Sequence, residues 1–313
     1  MTEKMRTVRQ DTLGGTDVLT LVETDRPVPG ATEILVEVRA AGINPIDWKI
    51  RQFGYWLTPP FALGWDVSGV VAAVGAGETR FAVGDEVFGL PNFPAVGGGY
   101  SEYVVGPSRH FALKPTSVDH VAAAALPLSG SMAWQALVDV AKLREGQRVL
   151  IHAAAGGVGH LAVQIAKARG AHVIGTASAA KHDLLRGLGV DELVDYTAGD
   201  FVEVVRNVDV VLDLVGGDYE DRSLRTLRQG GLYLGVTNPL AVDEIAAKAA
   251  AVGARGVTIN VAPDHAVLAQ LAQLVDDGAL RPLIAETFPL AEVAKAHELG
   301  EGNRTTGKLV LTV

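Results

Sequence analysis

Three short stretches of the chain carry residue types and spacings that can do chemistry. In the first, Ala154, Gly156, Gly157, Val158 and Gly159 form a small-residue turn of the spacing that lets a backbone approach a pyrophosphate closely. A helix starting there would aim its first N–H groups and the positive end of its dipole at the anion. In the second, Gly175-Thr176-Ala177-Ser178-Ala-Ala-Lys181 ends a strand with no acid before Asp183. A carboxylate at that place accepts the ribose hydroxyls of an unphosphorylated dinucleotide. Here Ser178 can instead donate to an added 2′-phosphate and Lys181 can supply positive charge, which favours NADPH. Ser178 is equally a helix cap and Lys181 a solvated side chain, and the roles are compatible. In the third, Asn44-Pro-Ile-Asp47-Trp-Lys49 and Tyr55 offer hydrogen-bond donors. Asn44 before Pro45, with Asp47 in the first turn, is also a well-capped helix start that needs no catalysis to explain it.

The turn must be held by a strand and a helix. Residues 149–151 form a short apolar run, and Val158, Leu161, Ala162, Ile165 and Ala166 then recur at helical spacing until Gly170. The pattern repeats. Strands are expected at 171–175, 192–195, 208–214, 231–236 and 257–260, with helices at 183–188, 201–206, 219–227 and 242–251. Such alternation implies right-handed crossovers and a doubly wound parallel sheet of the Rossmann type, for which a dinucleotide is the default ligand. Residues 1–125 read differently. Strand-like runs at 19–23, 34–39, 67–74 and 86–90 are punctuated by Gly and Pro without intervening helices, which suggests an antiparallel, barrel-like domain. Residues 119–143, 265–276 and 291–299 look helical. Residues 308–313 form a strand that could return to either sheet.

Composition narrows the functional classes. The 313 residues suffice for two domains, and the net charge of −9 argues against nucleic acid or an anionic membrane as a main partner. No apolar run reaches bilayer-spanning length, and the first residues lack a signal-peptide core, so a soluble cytoplasmic protein is expected. With no cysteine, disulfides and thiol nucleophiles are excluded, and His, Asp and Glu are the only strong metal ligands. The histidines form no close ligand pair. His152, at the end of the first Rossmann strand, is read as packing.

Five motifs in order give the chain a family likeness: Ala41-Gly-Ile-Asn-Pro-Ile-Asp-Trp-Lys49, Gly64-Trp-Asp-Val-Ser-Gly-Val-Val71, Val83-Gly-Asp-Glu-Val-Phe-Gly89, the Ala153–Gly159 turn and Thr306-Gly-Lys-Leu-Val-Leu311. The chain resembles the medium-chain dehydrogenase/reductase superfamily, and is similar to its zinc-free quinone oxidoreductase and enone or alkenal reductase branch. The resemblance implies a GroES-like antiparallel β-barrel catalytic domain (1–125 and 261–313) with a Rossmann coenzyme domain (126–260) inserted in it. It also implies an active-site cleft between the two, and a homodimer. Where zinc-dependent members place their ligands this chain has Asn44, Trp65-Asp66 and Leu128, so no metal is expected.

Further roles follow from the same resemblance. Asn44 would point toward the nicotinamide, and Lys49 would polarise the acceptor oxygen. Tyr55 would donate a proton or wall the pocket. Tyr196 would sit against the adenosine phosphate, Arg304 at the 2′-phosphate and Lys308 at the pyrophosphate, although Arg304 and Lys308 could equally be a solvated surface pair. Thr176 belongs to the same cofactor set, and Leu214, Val215, Val236 and Thr237, at two strand ends, would lie under the nicotinamide half. Phe53, Tyr55, Trp56, Phe93 and Tyr100 would line the pocket for a flat apolar acceptor. The activity implied is NADPH-dependent reduction of a quinone or conjugated carbonyl. The alternatives are an enoyl-thioester or polyketide-tailoring reductase, and a nucleotide-binding protein with little turnover.

Overall fold

The computed structural model describes residues 3–238 and 240–313. The chain forms two compact units, Met1–Ser131 with Ala262–Gly278 and Pro282–Val313, and Met132–Val261 with Ala279–Arg281.

The first unit opens with β1 (Lys4–Gln10), β2 (Thr20–Asp25), β3 (Glu33–Ile43) and α1 (Pro45–Phe53). It continues through β4 (Phe61–Ala62), β5 (Asp66–Val74), β6 (Glu86–Gly89), β7 (Tyr103–Pro107), β8 (Phe111–Leu113) and α2 (His120–Ala124). α3 (Pro127–Trp134) then leads toward the second unit. The 119–143 stretch, expected as one helix, is broken. Pro127 has no amide to continue α2 and disfavours helical backbone at Leu126, so α3 starts afresh, and Gln135–Val140 winds as a π-helix.

The second unit alternates β9 (Arg148–Ile151), α4 (Gly159–Ala168), β10 (His172–Ala177), α5 (His182–Gly187), β11 (Glu192–Asp195), α6 (Phe201–Val204), β12 (Val208–Asp213), α7 (Tyr219–Leu224), β13 (Leu227–Gly235), α8 (Val242–Ala251) and β14 (Arg255–Thr258). Its sheet runs β11-β10-β9-β12-β13-β14 with every pair parallel. The order reverses at β9, so the carboxyl ends of β9 and β12 flank the switch point where such sheets bind ligands. On one face, Leu150, Ile174, Val211 and Tyr233 lie side by side across the sheet and pack with Phe201 of α6 and Ile245 of α8 in one core. The first eight residues of α4, Gly159 to Ala166, are all buried, which accounts for their small and apolar character apart from His160 and Gln164, whose side chains bond to the Gly156 and His160 carbonyls.

The chain returns to the first unit through α9 (His265–Asp276), β15 (Ile284–Pro289), α10 (Val293–Glu301) and β16 (Lys308–Thr312). The larger sheet there runs β15-β16-β3-β5-β6-β8, with β7 also on β3, and β2-β1-β4 form a second, three-stranded sheet. All of these pairs are antiparallel except β15 with β16. β16 joins this sheet, placing Leu309 opposite Ile43 and Leu311 opposite Ala41. A GroES-like unit and a parallel Rossmann sheet are thus both present. Gly42 marks a tight spot between β3 and α2: a Cβ there would lie 2.3 Å from the Ala124 carbonyl oxygen and 2.9 Å from the Asp66 side chain. No side chain fits, and that lets α2 close over the strand beside Asp66.

Candidate active site

In the first unit, the end of β3 and the start of α1 carry Asn44 into a buried polar cluster. Asn44 stands at the N-cap of α1 with extended backbone, and Pro45 takes the first helical position. Its amide N–H donates to Asp47 Oδ2 at 2.7 Å, and its side-chain Nδ2 donates to Asp66 Oδ2 at 2.8 Å. Asp66 opens β5 and is fully buried. Its other oxygen accepts the backbone N–H of Leu128, in the first turn of α3, at 2.7 Å. A carboxylate at a helix start is favoured by the free amides and the dipole. The three positions that the resemblance aligned with metal ligands are therefore brought together and bonded directly to one another.

The cation of this cluster is Lys308. It opens β16, is 3% exposed, and points its ammonium at the Ile43 carbonyl (2.8 Å), Asn44 Oδ1 and Asp66 Oδ2 (3.1 Å). An ammonium has three hydrogens, and all are committed within the unit. The expected placement at a pyrophosphate is corrected accordingly, and so is the alternative of a solvated surface pair. Metal does not fit either. The oxygens of Asn44 and Asp66 already face a positive charge, and among the described residues no three His, Cys, Asp or Glu side chains are grouped to hold an ion.

A second branch runs from Asp47. Tyr100 donates its hydroxyl to Asp47 Oδ2 at 2.7 Å, and His297 Nε2 lies 3.4 Å from the same hydroxyl. Arg51 Nη1 reaches His297 Nδ1 at 3.1 Å, and its other nitrogen reaches Glu301 at 2.6 Å. A guanidinium only donates, so His297 accepts at Nδ1 and carries its proton on Nε2. Burial with Arg51 alongside pushes His297 down to about 3. Burial pushes Asp47 up to about 7, against the pull of the Tyr100 and Asn44 donors. Burial and the Asp47 charge hold the Tyr100 phenol well above its ordinary value. Asp47 Oδ1 is buried without a hydrogen-bond partner among the described residues, a fitting place for a proton. Tyr100 is wholly buried in this network, which corrects its expected place in a pocket lining.

The remaining donors lie further out. Lys49 is half-buried on α1 with no hydrogen bond or ion pair among the described residues. Tyr55 is 60% exposed, on a turn where Gly54 and Tyr55 both have positive φ. Its ring stacks on Trp56 at 6.1 Å and lies 6.0 Å from Phe53, making an exposed aromatic face. The Trp56 indole donates to the Pro94 carbonyl at 2.7 Å, which ties this face to the 91–100 loop. Phe93 packs instead edge-on against buried Trp65. Arg304 lies exposed between α10 and β16.

In the second unit, α4 starts at Gly159, where a Cβ would sit 2.2 Å from the Ala153 carbonyl oxygen. Only glycine allows this closeness of turn and helix. Gly156, Gly157 and Val158 are partly exposed, and the His160 and Leu161 amides of α4 already donate to the Gly156 and Val158 carbonyls at 3.1 and 3.2 Å, so an anion would meet the amides of Gly157, Val158 and Gly159. Ala154 is a packing residue, buried with its amide on the Thr176 carbonyl at 3.0 Å. Thr176 is 1% exposed and its hydroxyl pairs with His152 Nδ1 at 3.1 Å, so a hydroxyl contact to cofactor is corrected to a structural one. His152 also reaches Ser223 at 2.9 Å, and burial pushes it down to about 4, in keeping with a packing role. Ser178 and Lys181 follow β10, partly exposed, and burial lowers Lys181 from its ordinary value. Tyr196, Val215 and Thr237 are exposed, while Leu214 and Val236 are half-buried.

Sequence reasoning missed Asp195, which ends β11 in register with Ala177. Donation by the Thr197 hydroxyl and amide holds its carboxyl below the usual range, so a negative charge stands one strand over from Ser178. The signal was present as an acid at a third strand end. It also missed the Asp66–Lys308 pair, whose only trace is a charge of each sign opening an otherwise apolar strand.

Residues 30–116 match the model described as alcohol dehydrogenase GroES-like domain, and residues 188–311 match that described as zinc-binding dehydrogenase. The mitochondrial NAD(P)H oxidoreductase RTN4IP1 of Mus musculus is 35% identical over 90% of this chain and 82% of its own length. The polyketide synthase GfsB of Streptomyces halstedii is 39% identical over 90% of this chain, which spans only 5% of that protein. The structure of the quinone oxidoreductase from Coxiella burnetii superposes with a TM-score of 0.94 at 36% identity, covering 99% of this chain and 100% of that one. With the Rossmann turn, the GroES-like unit and a buried cluster centred on an ammonium, the chain belongs to the medium-chain dehydrogenase/reductase superfamily, in its zinc-free quinone oxidoreductase branch, and is an NAD(P)H-dependent oxidoreductase.

Proposed function

We propose that the protein reduces quinones or α,β-unsaturated carbonyls with NADPH and without a metal. The observation that carries this is the Lys308 ammonium seated on Asn44 and Asp66. With the ammonium on the oxygens that would otherwise face a metal, the cluster is not built to hold a Lewis acid against an alkoxide, and simple alcohol oxidation is disfavoured. A conjugated acceptor spreads its developing charge onto an enolate or quinol oxygen, and one or two hydrogen-bond donors suffice. Asn44, Lys49 and Tyr55 are the proposed donors to the acceptor, and the exposed face of Phe53, Tyr55 and Trp56 suits a flat apolar molecule. The product would take its proton from Tyr55, Lys49 or water.

The cofactor, when bound, supplies the hydride. Its pyrophosphate fits Gly156, Gly157, Val158 and Gly159 at the start of α4. Ser178, Lys181 and Arg304 are proposed for the 2′-phosphate, Tyr196 for the adenosine side, and Leu214, Val215, Val236 and Thr237 for the nicotinamide side. The preference for NADPH rests on the absence of an acid at the end of β10, and the Asp195 charge nearby moderates it.

A second reading is favoured by the 39% identity to a polyketide synthase: an enoyl thioester would take the cofactor's hydride and a proton, with the same hydrogen-bond donors on its carbonyl. NADPH and NADH consumption against a panel of quinones, enals and enoyl thioesters separates the two. Turnover confined to thioesters selects the second reading. Cofactor binding with no turnover on any acceptor removes both and leaves a nucleotide-binding protein. Stoichiometric zinc in the purified protein would overturn the metal-free part.

A further inference from the structure

The Asn44 carboxamide is gripped by opposite charges at its two ends. Oδ1 accepts from the Lys308 ammonium and, more weakly at 3.4 Å, from the Ser129 hydroxyl. Nδ2 gives one hydrogen to Asp66 Oδ2 at 2.8 Å. Rotating the amide by half a turn would set its hydrogens against the ammonium and its oxygen against the carboxylate, so one orientation is strongly favoured. The grip is itself anchored. Asp66 Oδ1 is fixed by the Leu128 amide, and Lys308 is fixed by the Ile43 carbonyl and by its place on β16 between β15 and β3. One Nδ2 hydrogen is left without an acceptor among the described residues.

We propose that Lys308 is a positioning residue: with Asp66 it locks the Asn44 carboxamide so that its remaining hydrogen is the donor offered to the reacting acceptor. The inference rests on the function proposed above. It also assigns Lys308 a task different from holding a phosphate, since its three hydrogens are spent on Ile43, Asn44 and Asp66.

The test is a double-mutant cycle of Asn44→Ala and Lys308→Met, read as kcat, acceptor KM and NADPH Kd by cofactor fluorescence. Loss of one oriented donor should lower kcat by about 30-fold in each single variant. NADPH Kd should stay within about threefold of the wild type, and the double variant should fall no more than about threefold below Asn44→Ala, because two residues acting through one group are not additive. A tenfold weaker NADPH Kd in Lys308→Met, or effects that multiply, overturns the proposal in favour of a direct cofactor contact. Because Lys308→Met leaves Asp66 buried without its counter-charge, the neutral pair Lys308→Met/Asp66→Asn is measured as well. It should fold and keep the low kcat, and wild-type kcat in it would overturn the lock. If the wild type turns over no acceptor, the functional reading fails, and the lock is then read by NMR. The Asp66-bonded Nδ2 hydrogen of Asn44 should exchange at least about tenfold faster in Lys308→Met; unchanged exchange refutes it.

Discussion

Replacing Asp47 with asparagine should make the protein more resistant to unfolding at pH 8 and much less so near pH 4. The buried cluster explains why. Asp66 and Lys308 cancel, Arg51 pairs with Glu301, and His297 is neutral, so an ionised Asp47 has no counter-charge of its own. Its carboxyl rises from an ordinary 3.8 to about 7. At about 1.4 kcal/mol per tenfold change in proton affinity, the linked free energy is roughly 4 kcal/mol. The sign follows from the folded state binding the proton more tightly. That stabilisation is complete below the ordinary carboxyl value and is lost as pH rises through about 7. An asparagine would keep its oxygen on the Tyr100 and Asn44 donors and turn its amide to the unpartnered Oδ1 side. Denaturant unfolding of both proteins should show the variant's advantage growing by roughly 4 kcal/mol between pH 4 and 7, then levelling. An advantage constant to within about 1 kcal/mol over that range would refute the reasoning, since pH would then not act through Asp47.

Three other outcomes follow from the geometry. His152, pushed down to about 4, stays neutral in the fold, so its contribution is present above its ordinary value of 6.5 and is lost as pH falls. Relative to His152→Gln, the wild type should lose roughly 3 kcal/mol between pH 6.5 and 4 in the same unfolding assay. Gly159→Ala forces a Cβ to 2.2 Å from the Ala153 carbonyl oxygen. It should cost at least about 2 kcal/mol in thermal unfolding and weaken NADPH binding by tenfold or more. Asp195→Asn removes the charge one strand from Ser178 and should raise the NADPH-to-NADH affinity ratio by roughly two- to fivefold, an exposed Coulomb effect that shrinks at 0.5 M salt. Isothermal titration with both cofactors measures it.

Local pattern revealed most of the second unit. Strand 192–195 and helix 242–251 there match the observed elements at both ends, as does helix 265–276 of the first unit, the two helices because each shows a helical period. The first unit was harder. β1 has only Met5 and Val8 as apolar residues among Lys, Arg, Thr and Gln, and β15 is a mostly exposed edge strand ending at Pro289, so neither gives a strong apolar run. Asn44 and its helix start were legible from the Asn-Pro-Ile-Asp spacing. What surrounds Asn44 was not: Asp66, Leu128 and Lys308 come from three distant stretches, and only the closed sheet makes them neighbours. The same holds for Tyr100 and His297, whose aromatic and basic character suggested a pocket or nothing, and whose burial comes from tertiary packing.

The place of β16 has a consequence for how the protein comes into being on the ribosome. The segment sits inside the larger sheet, yet it is made after the entire coenzyme unit has emerged. The second unit can collapse as its own residues appear, whereas the barrel waits, its long-range pairing delayed by more than two hundred intervening residues between Asp66 and Lys308. During that interval the carboxylate has no ammonium to meet. Slow synthesis through this region should therefore expose a nascent chain to chaperones or proteases with one half finished and the other open.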